Sequence, residues 1–216
     1  MKKALKIEIE GCDGSGKTTA LKYLIEKLQS KDKVILETRE VGSPLIPINI
    51  KLRETVLDPK SNLSGEAMEL IFAAMRFEND KHYSSMANFY DFIVSDRGWL
   101  SHLAYTDHNV SERFTEDLYL KFMESKTEMP HIVVYFDVNT DTALKRRVSR
   151  GGGMDVIEMK GVDFQEKVRA SFQKYMGHKS LNDTNIFIVD ANESIEGVRI
   201  QLDVIINEIL EGVNNG

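Results

Sequence analysis

The hydrophobic residues of this chain recur with two alternating periods. Short apolar runs at 6–10, 34–36, 92–96, 132–137 and 186–190 are separated by longer segments in which apolar residues recur every three or four positions. The short runs are rich in β-branched residues and predict strands, whereas the longer spacing predicts amphipathic helices. Strands that alternate with helices indicate a parallel sheet covered on both faces. We therefore predict an α/β, doubly wound fold with a five-stranded parallel sheet.

The composition is that of a globular domain, and it excludes several classes of function. The chain has 216 residues, enough for one sizeable core, and we interpret residues 1–216 as a single domain. Its 28 basic and 34 acidic residues give a net charge of −6, which argues against nucleic acid as a partner. A single cysteine, Cys12, and the lack of a long apolar segment predict a cytoplasmic protein with no disulfide and no membrane contact.

The strongest local signal lies between the first predicted strand and the helix after it. Residues 11–18 read Gly-Cys-Asp-Gly-Ser-Gly-Lys-Thr and fit the G-x-x-x-x-G-K-[ST] pattern. Glycines let successive backbone N–H groups face an anion, and the helix start adds a positive dipole end. Lys17 can reach the outer phosphates of a nucleoside triphosphate, and the Thr18 hydroxyl can ligate Mg²⁺. The residues expected to hold the triphosphate are Gly11, Asp13, Gly14, Ser15, Gly16, Lys17, Thr18 and Thr19.

Further charged residues follow the ends of other predicted strands. Asp96 and Arg97 close the third strand and Arg39 follows the second, at the edge of the sheet where ligands of doubly wound folds bind. Asp96 is placed to hold Mg²⁺ through water, and Arg97 to contact phosphate. The remaining basic candidates are Arg53, Arg76, Lys145, Arg146, Arg147 and Arg150. The last four fit a solvated helix face as well as a closing lid that ends in the glycine run 151–153.

Four further segments, taken in order with the phosphate loop, carry a family resemblance. They are 38–42 (Thr-Arg-Glu-Val-Gly), 70–76 (Leu-Ile-Phe-Ala-Ala-Met-Arg), 93–105 and 150–158. In this order they resemble the T-R-E-P-G, L-L-F-A-A-x-R, V-I-S-D-R-Y and R-G-x-x-D-R-I-E motifs of thymidylate kinases, nearly end to end. The resemblance implies a P-loop fold with a lid at about 146–158 and a homodimer. It also implies transfer of the γ-phosphoryl group of ATP to the 5′-phosphate of dTMP.

The resemblance assigns phosphate contacts to several arginines. Arg53 and Arg97 would clamp the acceptor phosphate, where a guanidinium fork suits two phosphate oxygens, and Arg39 would bind the same substrate. Catalysis would consist of positioning and charge neutralisation by Mg²⁺, Lys17, Arg97 and an arginine of the lid. We expect Arg150 to be that lid arginine, with Arg147 as the second choice.

The resemblance also assigns the sugar and base contacts. Asp13 would accept a hydrogen bond from the 3′-hydroxyl, and Tyr105 would pack where a 2′-hydroxyl would otherwise sit. Phe72 would stack on the base and Arg76 would donate to a base carbonyl. Without the resemblance, Phe72 and Tyr105 would be interpreted as core aromatics.

Several positions near the expected base edge depart from the family pattern. His102 and Thr106 stand where Ser or Asn and then Gln are usual, Val156 replaces a lid arginine, and Gly98 replaces a tyrosine. A smaller Gly98 and changed polar partners would admit a bulkier or differently functionalised pyrimidine. His102 has a second interpretation, as a surface histidine, which the sequence slightly favours.

Three other functions remain open from the sequence. In the first, the chain is a kinase for a modified or another deoxypyrimidine monophosphate. In the second, it is a deoxynucleoside kinase with a carboxylate base such as Glu40. The third is a nucleotide-binding switch or scaffold that transfers no phosphate.

Overall fold

The computed structural model describes residues 4–105, 110–125, 132–150, 161–177 and 184–214. The strands are β1 (Leu5–Gly11), β2 (Ile35–Arg39), β3 (Phe92–Asp96), β4 (Ile132–Asp137) and β5 (Asn185–Asp190). All described pairings are parallel, and the strand order is β2-β3-β1-β4-β5. The five-stranded doubly wound sheet is therefore confirmed.

The helices connect the strands and cover the sheet. They are α1 (Lys17–Gln29), α2 (Pro47–Leu57), α3 (Gly65–Met86), α4 (Trp99–Ala104), α5 (Glu112–Ser125), α6 (Thr140–Arg150), α7 (Val162–Met176) and α8 (Ile195–Asn214). A 3₁₀ turn, Pro59–Ser61, joins α2 to α3. No helix within these described ranges is long and apolar enough to cross a membrane.

The third helix ends earlier than its sequence pattern predicts. The apolar spacing extends to about Tyr90, but α3 stops at Met86 because the following residues tie the sheet together. The Asp91 carboxylate accepts a hydrogen bond from the Val34 backbone N–H at 2.8 Å, and the Asp91 carbonyl accepts one from Leu5 at 3.0 Å. These bonds hold the residue before β3 against the start of β1 and the residue before β2.

The central strand β1 buries both of its faces, and the two faces differ in chemistry. Ile7 and Ile9 are fully buried in the main core, with Leu24 of α1 and Leu202 of α8 in the same cluster. Side chains alternate along a strand, so Lys6, Glu8 and Glu10 share the opposite face. Both carboxylates are also fully buried. A buried ionic face needs polar partners. Lys6 pairs with Glu8 and Glu40, and the turn after β3 and Ser101 of α4 bond to Glu10.

The register of the sheet places the ends of the three central strands side by side. Ile9 of β1 pairs with Asp96 of β3, and Gly11 of β1 pairs with Phe136 of β4. The loop after β1 and the residues after β3 therefore emerge as neighbours at one edge, as parallel strands require. Every candidate residue that follows β1 or β3 is brought to this edge.

Candidate functional site

The glycine-rich loop folds around the ammonium group of Lys17, the first residue of α1. The Lys17 ammonium donates to the carbonyl oxygens of Gly11 and Cys12, both at 2.8 Å. Gly14 has a φ of 88°, and a Cβ there would lie 2.4 Å from the Ala143 carbonyl oxygen of α6. Only glycine allows this approach, so the loop and α6 pack in direct contact.

The loop is electrostatically prepared for an anion. Burial, and then the nearby Arg97 guanidinium, lower the pKa of Lys17 to about 8. A bound polyphosphate would offset both effects, because it supplies negative charge beside the ammonium. The pKa of Asp13 is also lowered, which favours the charged form of this carboxylate. Burial alone would raise its pKa, but Arg97 and Lys17 outweigh burial and lower it.

Two cavities open at this edge of the sheet. The first, which we call the loop cavity, lies between the glycine-rich loop and α8, and residues 13–19, Asp96 and Arg147 are among those that line it. The second, the α3 cavity, lies between α2, α3 and α4. It is lined by Phe72 and Arg76 of α3, together with the following expected site residues and neighbours: Asp13, Arg53, Arg97, His102, Tyr105, Glu40 and Glu69.

Three residues line both cavities: Asp13, Arg53 and Arg97. Arg97 is held in place from four directions. It forms an ion pair with Asp13 and donates to the Gly11 carbonyl at 3.0 Å, the Ser101 hydroxyl at 3.1 Å and the Tyr105 hydroxyl at 3.1 Å. Its φ of 70° is left-handed, a conformation that costs a non-glycine residue about 1 to 3 kcal/mol. The surrounding contacts therefore fix this guanidinium where the two cavities meet.

The loop cavity also contains oxygen atoms suited to a hard cation. The Asp96 Oδ1 atom is buried without a hydrogen-bond partner among the described residues, and Asp96 lines the cavity together with Thr18. A carboxylate and a hydroxyl beside a polyphosphate loop are the donor set that Mg²⁺ uses. These two residues fit the metal that the sequence assigns to them.

The closed end of the α3 cavity is built around Arg76. Its Nε atom lies 3.3 Å from a Glu40 carboxylate oxygen, its Nη2 atom donates to the Gly98 carbonyl at 3.3 Å, and the guanidinium lies over the Trp99 ring at 5.1 Å from its centre. Its Nη1 atom is 3.2 Å from Nδ1 of His102. Arg76 thus reaches the end of the cavity where the resemblance places a base.

His102 is buried, so the interpretation as a surface histidine is wrong. Its side chain has no exposed surface, and all six residues of α4 are buried because the helix is packed against neighbours on every side. Burial, followed by the charge of Arg76, lowers the pKa of His102 well below its usual value. The imidazole is therefore neutral at physiological pH.

Gly98 does not enlarge the cavity, and that expectation is wrong as well. A Cβ at Gly98 would lie 2.1 Å from the Glu8 carboxyl carbon, so this carboxylate already fills the space beside the glycine. Glu8 in turn pairs with Lys6 at 2.8 Å, and Lys6 pairs with Glu40 at 3.1 Å. Gly98 therefore accommodates a buried carboxylate of β1 instead of a larger ligand.

The basic helix α6 points partly into the site. Lys145 is exposed, in agreement with a solvated face, but Arg147 lines the loop cavity and Arg146 donates to the Ala191 carbonyl at 2.7 Å. The side chain of Arg150 and most of the expected lid at 146–158 lie outside the described residues, as does Thr106.

Arg39 is the one expected substrate residue that the described structure keeps apart from both cavities. Its side chain is exposed, and its Nε atom donates to the Gly42 carbonyl at 3.0 Å. Its assignment to the substrate stays a prediction.

Two acidic residues at the site, Glu10 and Glu69, belong to none of the motifs in the sequence. Glu69 lines the α3 cavity, and Glu10 lies beneath the turn after β3. Glu10 accepts hydrogen bonds from the backbone N–H groups of Gly98 at 2.8 Å and Ser101 at 3.0 Å, and also from the Ser101 hydroxyl. It holds the turn that carries Arg97. The alternation of Lys6, Glu8 and Glu10 with isoleucines was the available signal, because two acidic residues on a central strand need buried partners.

Comparison with known proteins agrees with this geometry. The family model described as thymidylate kinase matches residues 9–202. A thymidylate kinase of Thermosipho africanus is 31% identical over 95% of this chain and 98% of its own length. Those of Campylobacter curvus and Enterococcus faecalis are 32% and 31% identical, covering 90% and 88% of this chain and 95% and 89% of their own lengths.

The chain belongs to the thymidylate kinase family. A phosphotransferase of this kind binds a phosphate donor and an acceptor together, and the site has two adjacent cavities that share three residues. The loop cavity has the chemistry of a donor site, and the α3 cavity has that of an acceptor site.

Gly98→Ala should destabilise the fold through Glu8. The added methyl group displaces a buried carboxylate, and we expect a loss of about 1 to 3 kcal/mol in the free energy of unfolding. In a Glu8→Ala background the same substitution should cost much less, because the obstructing group is gone. Urea unfolding of the four proteins of this double-mutant cycle measures the coupling. Additive effects of the two substitutions would contradict the account of Gly98.

Glu10→Gln should alter the pH dependence of stability. Burial, with the charge of Glu8, raises the pKa of Glu10 to about 7 from an ordinary 4.5. The folded state then binds a proton more tightly than the unfolded state, so this group's contribution to stability falls as the pH rises through the interval between these values.

The matched pair of proteins isolates this effect. A glutamine oxygen can still accept from Gly98 and Ser101, and its amide can donate to the Ser101 hydroxyl, but it does not titrate. Urea unfolding of both proteins at several pH values from about 4.5 to 8 should show a declining difference, with a slope of up to about 1.4 kcal/mol per pH unit. Parallel curves would show that Glu10 does not titrate in this range.

Proposed function

We propose that this chain transfers the γ-phosphoryl group of ATP to the 5′-phosphate of dTMP, giving ADP and dTDP. The observation that carries the proposal is the sharing of Asp13, Arg53 and Arg97 between the two cavities. Two nucleotides bound in these cavities would place their phosphates against the same arginines. The curated relatives named above are all called thymidylate kinases, which supports dTMP as the acceptor.

The difficulty of the reaction is the approach of two anions, and the residues at the junction address it. An oxygen of the acceptor phosphate attacks the γ-phosphorus while the bond to the β–γ bridging oxygen breaks and ADP leaves. The acceptor phosphate is largely dianionic at pH 7, so it needs no general base. Lys17 and Arg97 neutralise the donor and acceptor charge from fixed positions.

Mg²⁺ and one further arginine complete the proposed site. Thr18 and Asp96 would hold the metal, which supplies positive charge to the donor phosphates. Arg150, the first choice from the sequence for the arginine that contacts the transferred group, has its side chain outside the described residues. Arg147, the second choice, lines the loop cavity and is suited to the same role.

The acceptor cavity is suited to a nucleoside monophosphate rather than a nucleoside. A nucleoside kinase needs a carboxylate base near the 5′-hydroxyl, and Glu40 was the candidate for this role. Its carboxylate is engaged by Lys6 at 3.1 Å and Arg76 at 3.3 Å, close to the base end of the cavity. Arg53 and Arg97, at the other end, are complementary to an acceptor that already carries a phosphate.

We also propose a cytoplasmic homodimer. The chain has a single cysteine, Cys12, and it is buried, which suits a protein that needs no disulfide and works in a reducing compartment. Exposed apolar side chains on α2 and α3, among them Ile48 at 50%, Leu70 at 51% and Phe77 at 41% exposure, would be covered by a second copy.

The function is tested with ATP, Mg²⁺ and a matched pair of acceptors, dTMP and thymidine. We expect dTDP from dTMP and no turnover of thymidine, measured by separation of the products. Arg53→Ala should lower kcat/KM for dTMP by about 10- to 100-fold through loss of charged hydrogen bonds. Arg113→Ala removes an exposed arginine of α5 and serves as the control. Phosphorylation of thymidine but not dTMP would favour the nucleoside kinase, and ATP binding without any turnover would favour a switch or scaffold.

A further inference from the structure

Two asparagines join the two long helices that flank the α3 cavity. The Nδ2 atom of Asn49 on α2 donates to the Met75 carbonyl at 3.0 Å and to Oδ1 of Asn79 at 2.8 Å, and both acceptors belong to α3. Both asparagines are fully buried. Asn49 and Val56 are the buried residues of α2, so the asparagine contact anchors the first half of this helix.

Each asparagine lies one helical turn from an arginine of the α3 cavity. Arg53 follows Asn49 by four positions on α2, and Arg76 precedes Asn79 by three positions on α3. Residues three or four positions apart are neighbours on one face of a helix. Both arginines line the cavity. The asparagine contact therefore sets where the arginine of one helix lies relative to the arginine of the other.

This contact contributes orientation more than stability. The Oδ1 atom of Asn49 and the Nδ2 atom of Asn79 are buried and have no hydrogen-bond partner in the part of the chain that the structure describes. Such atoms lose their bonds to water on folding, and replacing both members of a buried polar pair by apolar groups of the same shape is often neutral or stabilising. A directional hydrogen bond, unlike an apolar contact, selects one relative position of the two helices.

The spacing of the two arginines matters for a ligand that binds at both. In the proposed function, Arg53 contacts the acceptor phosphate and Arg76 contacts the base. The Arg53 Nη1 atom also donates to the Val41 carbonyl at 2.8 Å. That bond orients the guanidinium, whereas the asparagines hold the helix that carries it. Misplacement of a binding group by about 1 Å can lower a rate by about 100-fold, so a small shift of α2 would be felt.

We propose that Asn49 and Asn79 are positioning residues that hold Arg53 at the distance from Arg76 that a deoxynucleoside monophosphate requires. This inference rests on the proposed function, because it concerns the acceptor of the same reaction. Neither asparagine is among the described residues that line the cavity, so their effect on the ligand is exerted through Arg53. A nucleoside lacks the phosphate and gains nothing from this spacing.

Thymidine and dTMP test the spacing because they differ only in the 5′-phosphate. The ratio of the Kd for thymidine to the Kd for dTMP, measured by calorimetric titration, reports what the phosphate contributes. In Asn49→Leu/Asn79→Leu, whose side chains keep the branching of asparagine, we expect this ratio to fall by about tenfold or more, with the Kd for thymidine within about twofold of its original value. The urea concentration at the midpoint of unfolding should stay the same or rise.

A second variant, Asn49→Ala, breaks the same contact with the opposite effect on stability. It leaves the Asn79 amide buried without its partner, so the urea midpoint should fall. The ratio of the two dissociation constants should fall as well, so affinity and stability move independently. Thr55→Leu introduces a leucine at an exposed position of α2 and serves as the control, with an unchanged ratio.

Arg53→Ala tests whether the asparagines act through this arginine. Alone it should lower the ratio, and adding Asn49→Leu/Asn79→Leu should lower the ratio no further. A further fall by the same factor as in the unaltered background would overturn the inference. Equal weakening of thymidine and dTMP in the leucine double variant would overturn it too, because a generally loosened cavity has that effect.

The titrations separate this inference from the proposed function, because they require binding but no turnover. Bound dTMP that is never phosphorylated would contradict the function and leave the inference standing. An unchanged ratio in the folded leucine double variant would overturn the inference even if the unaltered protein makes dTDP. Unaltered protein that binds thymidine as tightly as dTMP would overturn both.

Discussion

The arrangement of the site depends on the fixed position of the Arg97 guanidinium. It lies where the loop cavity and the α3 cavity meet, in a left-handed backbone conformation and in an ion pair with Asp13. A cation that is held in place before the ligands arrive neutralises them without reorganising, which is the main source of stabilisation in phosphoryl transfer. Much of the neighbouring chain serves this placement. Glu10 holds the turn after β3, and the Gly11 carbonyl and the hydroxyls of Ser101 and Tyr105 each accept a hydrogen bond from Arg97.

The buried charges beneath this junction explain why the core has one apolar and one ionic layer. Lys6 and Arg76 are interleaved with the carboxylates of Glu8 and Glu40, and removing a single member would leave an unpaired buried charge. The neutral His102 is buried beside Arg76, and both side chains line the α3 cavity, so these buried groups reach the cavity wall. The net charge of −6 thus gives no indication of the pocket, whose charge is set by a few buried groups.

Features set by local chemistry could be predicted from the sequence, and those set by distant partners could not. The loop at 11–18 and the β-branched run at 132–137 determine their own conformation, so the turn between β1 and α1 and the parallel sheet could be predicted from pattern alone. Whether His102 is buried depends on how the short helix α4 packs, and six residues are too few for a periodic signal. The space beside Gly98 depends on Glu8, which is 90 positions away along the chain. Pairings of that kind become visible only when the sheet register is known.

The central claim is that one set of residues serves two nucleotides at once. A bisubstrate ligand, adenosine joined to thymidine through a chain of phosphates, measures this most directly. If both cavities meet at Arg97, the ligand should compete with ATP and with dTMP alike, and it should bind at least about 100-fold more tightly than either nucleotide, because its second half binds at a high effective concentration. Competition with only one of the two nucleotides, at an affinity no higher than that nucleotide's own, would contradict the account.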